Sequence, residues 1–144
     1  MKAFFISAAI FILLFSGAKA QTIGDTIISN NNKNLELKVF YFHITDRCNT
    51  CHSIEINIRK VLFENYQEEI NKGIIDVYIL NCELPENKDL VKKYEAYGST
   101  TALTVFENGK EKYTEDLSSW AFQKVHKPEV FAKELKEKIN LIIK

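Results

Sequence analysis

Residues 38–51 read Lys38-Val39-Phe40-Tyr41-Phe42-His43-Ile44-Thr45-Asp46-Arg47-Cys48-Asn49-Thr50-Cys51. The first half is almost continuously apolar, β-branched and aromatic, the composition of a strand covered on both faces in the middle of a sheet. The second half turns polar and ends in two cysteines with two residues between them. Beyond Cys51, the residues Ile54, Ile58, Val61, Leu62, Tyr66 and Ile70 recur at helical spacing, and Gly73 stands where such a helix would stop. A buried strand that enters a helix through a short loop, with Cys-x-x-Cys at the junction, predicts an α/β fold with chemistry at that junction.

The rest of the chain extends this pattern. Ile74 to Leu80 is a second apolar strand, and Pro85-Glu86 opens a short helix whose inward face is Leu90, Val91 and Tyr94, ending before Gly98. Ala102 to Phe106 and Lys110 to Thr114 flank Glu107-Asn108-Gly109, and Asn-Gly between two strand-like runs predicts a hairpin. Trp120 to Val125 reads as a short helical piece. Pro128 opens a final helix with Phe131, Leu135, Ile139 and Ile142 on one face. The order is β-α-β-α-β-β-α around a mixed sheet: the strand–helix–strand unit wants a parallel pair, and the hairpin adds antiparallel strands.

At 144 residues, 46% hydrophobic and 26% charged, the chain has the size and composition of one folded domain. Lys plus Arg and Asp plus Glu both number 19, so no basic excess is present to neutralise a phosphate backbone, and nucleic acid is not an expected partner. Met1-Lys2, an apolar run from Ala3 to Phe15 and the ending Ala18-Lys19-Ala20 read as a signal peptide over residues 1–20, too short to span a bilayer. Cleavage would make Gln21 the first residue. Losing Lys2 and Lys19 from 19 basic residues leaves 17 against 19 acidic, a formal charge of −2. The expected product is exported to the periplasm or the extracellular space and keeps no stable membrane anchor. Residues 21–34 read as a flexible leader and 35–144 as the domain.

Export lets a disulfide persist, which governs how the cysteines are read. At a helix start, unpaired N–H groups and the macrodipole favour a negative charge, so Cys48 is the expected attacking thiolate. Arg47 supplies a cation beside it and His52 a further candidate for tuning the thiols. Cys51, one turn inside the helix, is the expected resolving thiol. Three other readings stay open: a static structural disulfide, a metal site, and haem attachment at Cys48-Asn49-Thr50-Cys51-His52, with His43 or His126 as the second axial ligand. A closed metal site usually needs four ligands and no second cysteine pair occurs, so neither a metal nor a cofactor is expected. Cys82 ends the Ile74–Leu80 strand and reads as a buried, slow-reacting free thiol.

These features resemble an exported thioredoxin-like protein across Leu35 to Lys144. The features that match are the strand before Cys48, the Cys48/Cys51 pair, the helix after it, the unit from Ile74 to Tyr97, and Leu103-Thr104-Val105-Phe106-Glu107-Asn108-Gly109-Lys110. A narrower resemblance is to small bacterial thioredoxin-like proteins labelled as nitroaromatic-compound reductase subunits. The resemblance implies a three-layer α/β/α fold and a thiol–disulfide oxidoreductase working through the Cys48/Cys51 pair. Its partners would be protein thiols or disulfides, or a reductase complex. It also implies a substrate groove at Thr100 and Thr101. The chain departs from thioredoxins in five places. The loop before Cys48 is one residue longer. Arg47 replaces a Trp, Asn49-Thr50 replaces Gly-Pro, Tyr41 or Phe42 stands where a buried Asp belongs, and Thr101 replaces the cis-proline. The missing Trp, buried Asp and cis-proline favour the alternative of a non-enzymatic binding subunit whose disulfide is structural.

Overall fold

A computed structural model of the chain describes residues 25–28 and 34–144. The expected signal peptide and its cleavage site lie outside these residues. The described strands are β1 (Thr26–Ile28), β2 (Leu35–His43), β3 (Ile75–Asn81), β4 (Thr100–Glu107) and β5 (Lys110–Asp116). The helices are α1 (Asn49–Asn65), α2 (Gln67–Asn71), α3 (Lys88–Tyr94, entered through a 3-10 turn at Pro85–Asn87), α4 (Ser118–Lys124) and α5 (Pro128–Ile143).

The strands form one sheet in the order β1-β3-β2-β4-β5, with β2 and β3 parallel and the other pairs antiparallel. β2 lies at its centre, as its apolar run requires. Alternation sends Leu37, Val39 and Tyr41 to one face, where they meet Ile54, Ile58, Val61 and Leu62 of α1 and Phe131, Leu135 and Ile139 of α5. Phe40 and Phe42 point the other way and pack with Leu80, Val91, Ala96 and Ala102 beneath α3. The result is the expected three-layer, thioredoxin-like α/β fold. Glu36 and Lys38 continue the Phe40 and Phe42 face, and they form an ion pair at 2.9 Å.

Four local features differ from the sequence reading. Thr26–Ile28, within the expected leader, forms the edge strand β1 against Val77–Ile79. Asp25 anchors that strand by accepting the Asn81 N–H at 2.8 Å and a hydrogen bond from the Asn87 side chain. The single helix expected up to Gly73 breaks at Tyr66, which leaves helical geometry at φ −132°. Its ring is buried and its hydroxyl reaches the Lys136 carbonyl and Asn140 on α5, so tertiary contact outweighs helix continuation there. Gly73 does close α2, at φ 70°, a left-handed conformation that glycine adopts without strain. The hairpin turns on Asn108 and Gly109, both at positive φ as a two-residue turn of this kind demands, and β4 and β5 run further than the apolar pattern marked. Cys82, expected to be buried, is half-buried.

Candidate active site

Because β2 and β3 are parallel, both end at the same edge of the sheet, and α1 begins there. Cys48 is the N-cap of α1, extended at φ −74° and ψ 165°, with no side chain capping the helix. The thiols of Cys48 and Cys51 are 3.1 Å apart, Cys48 exposed and Cys51 partly buried. Their environments push them in opposite directions. The hydrogen bond from Cys51 and the backbone N–H groups of Cys51 and Thr50 hold the Cys48 thiol below its ordinary value. Burial and the neighbouring Cys48 push the Cys51 thiol up. One thiol is thus accessible and easily ionised, and its partner is covered and holds its proton.

Arg47 is ion-paired. Its guanidinium donates to Glu55 on the next turns of α1, and Glu55 also accepts Arg59 Nε at 2.7 Å. Arg59 continues to Thr26 Oγ1 at 2.9 Å, so an ionic chain joins the loop before Cys48 to β1. Arg47 is therefore neutralised locally, and the lowering of the Cys48 thiol comes from Cys51 and the helix N–H groups. His52 is exposed on the first turn of α1, and its N–H donates to the Cys48 carbonyl at 3.1 Å.

This ion-pair chain carries a pH-dependent contribution to stability. Burial pushes the Glu55 carboxyl up, but hydrogen bonds and charge from Arg59 and Arg47 outweigh it and hold the group below the usual carboxylate value. A lowered folded pKa stabilises above the unfolded value of about 4.3, and the gain is lost as pH falls through the folded one. Glu55→Gln is expected to cost on the order of 1 kcal/mol in urea unfolding at neutral pH. The difference from wild type should close when the pH drops below the usual carboxylate range. A constant difference down to strongly acid pH would remove Glu55 from this role.

The Thr100–Thr101 segment starts β4, and Thr101 faces Tyr41 across β2. No cis peptide occurs among the described residues. Thr101 is buried, its N–H donates to Ser118 Oγ at 3.1 Å, and its carbonyl accepts the Leu117 N–H at 2.8 Å. Its main chain is occupied inside the domain. The bonds tie the start of β4 to the turn into α4. Thr100 is less covered, and the exposed turn before it carries Tyr97, 75% exposed.

Tyr41, one of two residues that the sequence set at the position of a buried Asp, and Ser99, which it did not mark, lie beside the pair. Tyr41, buried beneath the start of α1, donates its hydroxyl to the Cys51 carbonyl at 2.8 Å and lies 3.0 Å from Ser99 Oγ. Ser99 also pulls the Cys51 thiol down, against the larger upward push of burial and Cys48. The sequence signal for Tyr41 is its place on the alternating face with Leu37 and Val39, the face that α1 covers. Ser99 has no local signal, since it meets Tyr41 across 58 residues of chain.

Cys82 lies at the same sheet edge, its N–H donating to the His43 carbonyl at 2.7 Å. Burial first and Glu83 second push its thiol up. Iodoacetamide should therefore modify reduced Cys48 faster than Cys82 at neutral pH, a difference that peptide mass spectrometry reads directly. Equal rates would contradict these environments. Among the described residues no group of three or more His, Cys, Asp or Glu side chains is placed to hold a metal ion.

No protein-family model matches the chain, and no curated protein matches it. Among solved structures, thioredoxin O2 from Arabidopsis thaliana in its oxidised state is similar at 18% identity and a TM-score of 0.45, covering 76% of each chain. A structure described as that of a malarial protein is 18% identical, with a TM-score of 0.34, covering 64% of this chain and 98% of that one. The mixed sheet, with parallel β2 and β3 and the antiparallel β4–β5 pair, fits the thioredoxin-like fold expected from the sequence, and Cys48 and Cys51 lie where the central strand passes into the first helix.

Proposed function

We propose that this chain is an exported thiol–disulfide oxidoreductase. The observation that carries the reading is the Cys48/Cys51 pair, 3.1 Å apart at a helix start, one thiol lowered and exposed, the other raised and covered. The Cys48 thiolate attacks a disulfide of a partner protein, forming a mixed disulfide and releasing one partner thiol. Cys51 then loses its proton and attacks Cys48 Sγ. That step closes the Cys48–Cys51 disulfide and releases the second partner thiol. The two electrons pass from the dithiol to the partner. The reverse sequence oxidises a partner dithiol. Export rests on the residues 1–20 pattern, and a secreted product beginning at Gln21 is its signature in mass spectrometry.

Equilibration with reduced and oxidised glutathione at graded ratios, followed by acid quench and mass spectrometry, tests the redox reading. The expected result is one reversible two-electron transition confined to Cys48 and Cys51, with Cys82 remaining a thiol. A Cys48/Cys51 pair that does not exchange in the folded protein would sink it.

One observation favours the second reading, a binding subunit with a structural disulfide. The main chain of Thr101 is already bonded to Leu117 and Ser118, which removes a backbone edge for pairing with a substrate chain. Dithiothreitol-driven reduction of insulin separates the two, since only the oxidoreductase accelerates it.

A further inference from the structure

The loop that carries the chain from β2 to Cys48 is tied down at both ends, and both ties lead back to β1. Near its beginning, Thr45 is held twice by the turn after β3. Its N–H donates to Glu83 Oε2 at 2.8 Å, and its Oγ1 accepts the Asn81 side-chain amide at 3.0 Å. The side-chain oxygen of Asn81 accepts the Glu83 N–H at 2.9 Å, so Asn81 and Glu83 form one cradle for Thr45. Asp25, the residue before β1, fixes that cradle. Its Oδ1 accepts the Asn81 N–H at 2.8 Å, and its Oδ2 accepts the Asn87 side-chain amide. Asn87 is buried, and the same amide donates to the Asn81 carbonyl at 2.8 Å. Asn81 is thus gripped at both its N–H and its carbonyl while its side chain holds the loop.

At the far end of the loop, Arg47 immediately precedes Cys48. Its guanidinium is ion-paired with Glu55, and both side chains are largely covered. Glu55 also accepts Arg59 Nε at 2.7 Å, and Arg59 donates to Thr26 Oγ1 at 2.9 Å. Two adjacent residues, Asp25 and Thr26, therefore terminate two separate chains of bonds, one to each end of the loop.

We propose that Asp25 and Thr26 are positioning residues for the nucleophile: they clasp both ends of the loop before α1 and so hold Cys48 at the first helical turn. This rests on the oxidoreductase reading above and assigns residues that serve its first step, the attack by Cys48. The physical reason lies in the start of the helix. Cys48 is the extended N-cap and no side chain caps α1, so the first turn depends on the loop for its place. Held there, Cys48 Sγ lies 3.1 Å from Cys51 Sγ, at a helix end whose free N–H groups favour a thiolate. With the loop released, the first turn frays, the sulfur loses those partners, and the thiolate forms less easily.

The charged and titratable groups at this end of the sheet are Cys51 beside Cys48, Arg47 paired with Glu55, and Glu83 bound to Thr45. His43 ends β2, Asp46 lies in the loop, and His52 is on the first turn of α1. Thr26 carries no charge, so its effect on Cys48 is one of position.

The test measures the rate at which iodoacetamide modifies Cys48 in the reduced full chain across a range of pH, read by peptide mass spectrometry. Thr26→Val keeps a β-branched residue in the strand and removes the hydroxyl, and Asp25→Ala removes the carboxylate. Each should slow Cys48 about twofold at neutral pH, and the double variant about fivefold, with the midpoint of the pH profile moved upward. Thr26→Ser, which keeps the hydroxyl, should keep the parent profile. Val91→Ala, a core variant in α3 on neither chain of bonds, should lower the urea midpoint and leave the Cys48 profile alone. The proposal is overturned if the folded double variant keeps the parent rate and midpoint. It is equally overturned if Val91→Ala reproduces the effect, since β1 would then contribute stability alone. Should Asp25→Ala fail to fold, Thr26→Val and Thr45→Val, which loosens the loop without touching β1, decide by the same criterion. A parent Cys48/Cys51 pair that does not exchange with glutathione overturns the oxidoreductase reading itself, and the clasp is still judged on the Cys48 profiles.

Discussion

A Cys51→Ser protein is expected to leave its disulfide partners covalently attached at Cys48, while Cys48→Ser retains more than about tenfold less. The asymmetry follows from position. Cys48 caps α1 in the open, and its thiolate receives hydrogen bonds from Cys51 and from backbone N–H groups. Cys51 is one turn inside the helix, partly covered, and pushed towards its protonated form by burial and by Cys48. With Cys51 gone, the thiol that lies beside Cys48 is lost, so the intermediate accumulates. With Cys48 gone, the remaining thiol is the less ionised and the less accessible one. Non-reducing electrophoresis and mass spectrometry of captured material read the outcome. Equal capture by the two variants would overturn the assignment of nucleophile and resolving thiol. Capture through Cys82 would point to a different site.

The largest expected effect on stability is at Phe131. It is fully buried at the start of α5, its ring 4.5 Å from that of Trp120, in the cluster that also holds Leu62, Leu135 and Ile139. Phe131→Ala removes a ring from a close-packed interior and should cost about 3–5 kcal/mol. That is a large share of the roughly 5–15 kcal/mol by which a domain of this size is stable. The Tm should fall by more than about 10 °C in a circular-dichroism melt. Leu141→Ala on the same helix is the control, since Leu141 is 87% exposed and should shift stability by no more than about 0.5 kcal/mol. A Phe131→Ala protein as stable as the Leu141→Ala protein would mean that α5 is not docked as described. The consequence reaches the site: α5 packs on the same sheet face as α1. The Asn57 side chain of α1 also donates to the Val125 carbonyl just before α5, at 3.1 Å. Loosening α5 should loosen the helix that presents Cys48.

What the sequence determined by itself follows from interactions that are local or periodic. Lys38 to Ile44 is apolar at successive positions because helices cover both sheet faces there, and only a central strand has that environment. Asn108-Gly109 sets the hairpin because both residues must adopt positive φ, which this dipeptide tolerates best. The place of Cys48 and Cys51 at a strand–helix junction was legible for the same reason, since both elements announce themselves by period. Tertiary structure decided the rest. Thr26–Ile28 is β-branched throughout but too short to announce a strand by period, and it forms β1 because β3 offers a free edge and Asp25 finds Asn81 and Asn87. Arg47 stands next to Cys48 in sequence, yet its charge goes to Glu55, because α1 brings that carboxylate within reach. Thr101 aligns with a groove position, but the turn into α4 bonds its main chain. Ser99 meets Tyr41, whose hydroxyl reaches the Cys51 carbonyl, only because β4 pairs with β2 and brings the turn before β4 to that point. Hydrogen bonds between residues this distant in sequence depend on register and helix docking, and no local propensity encodes either.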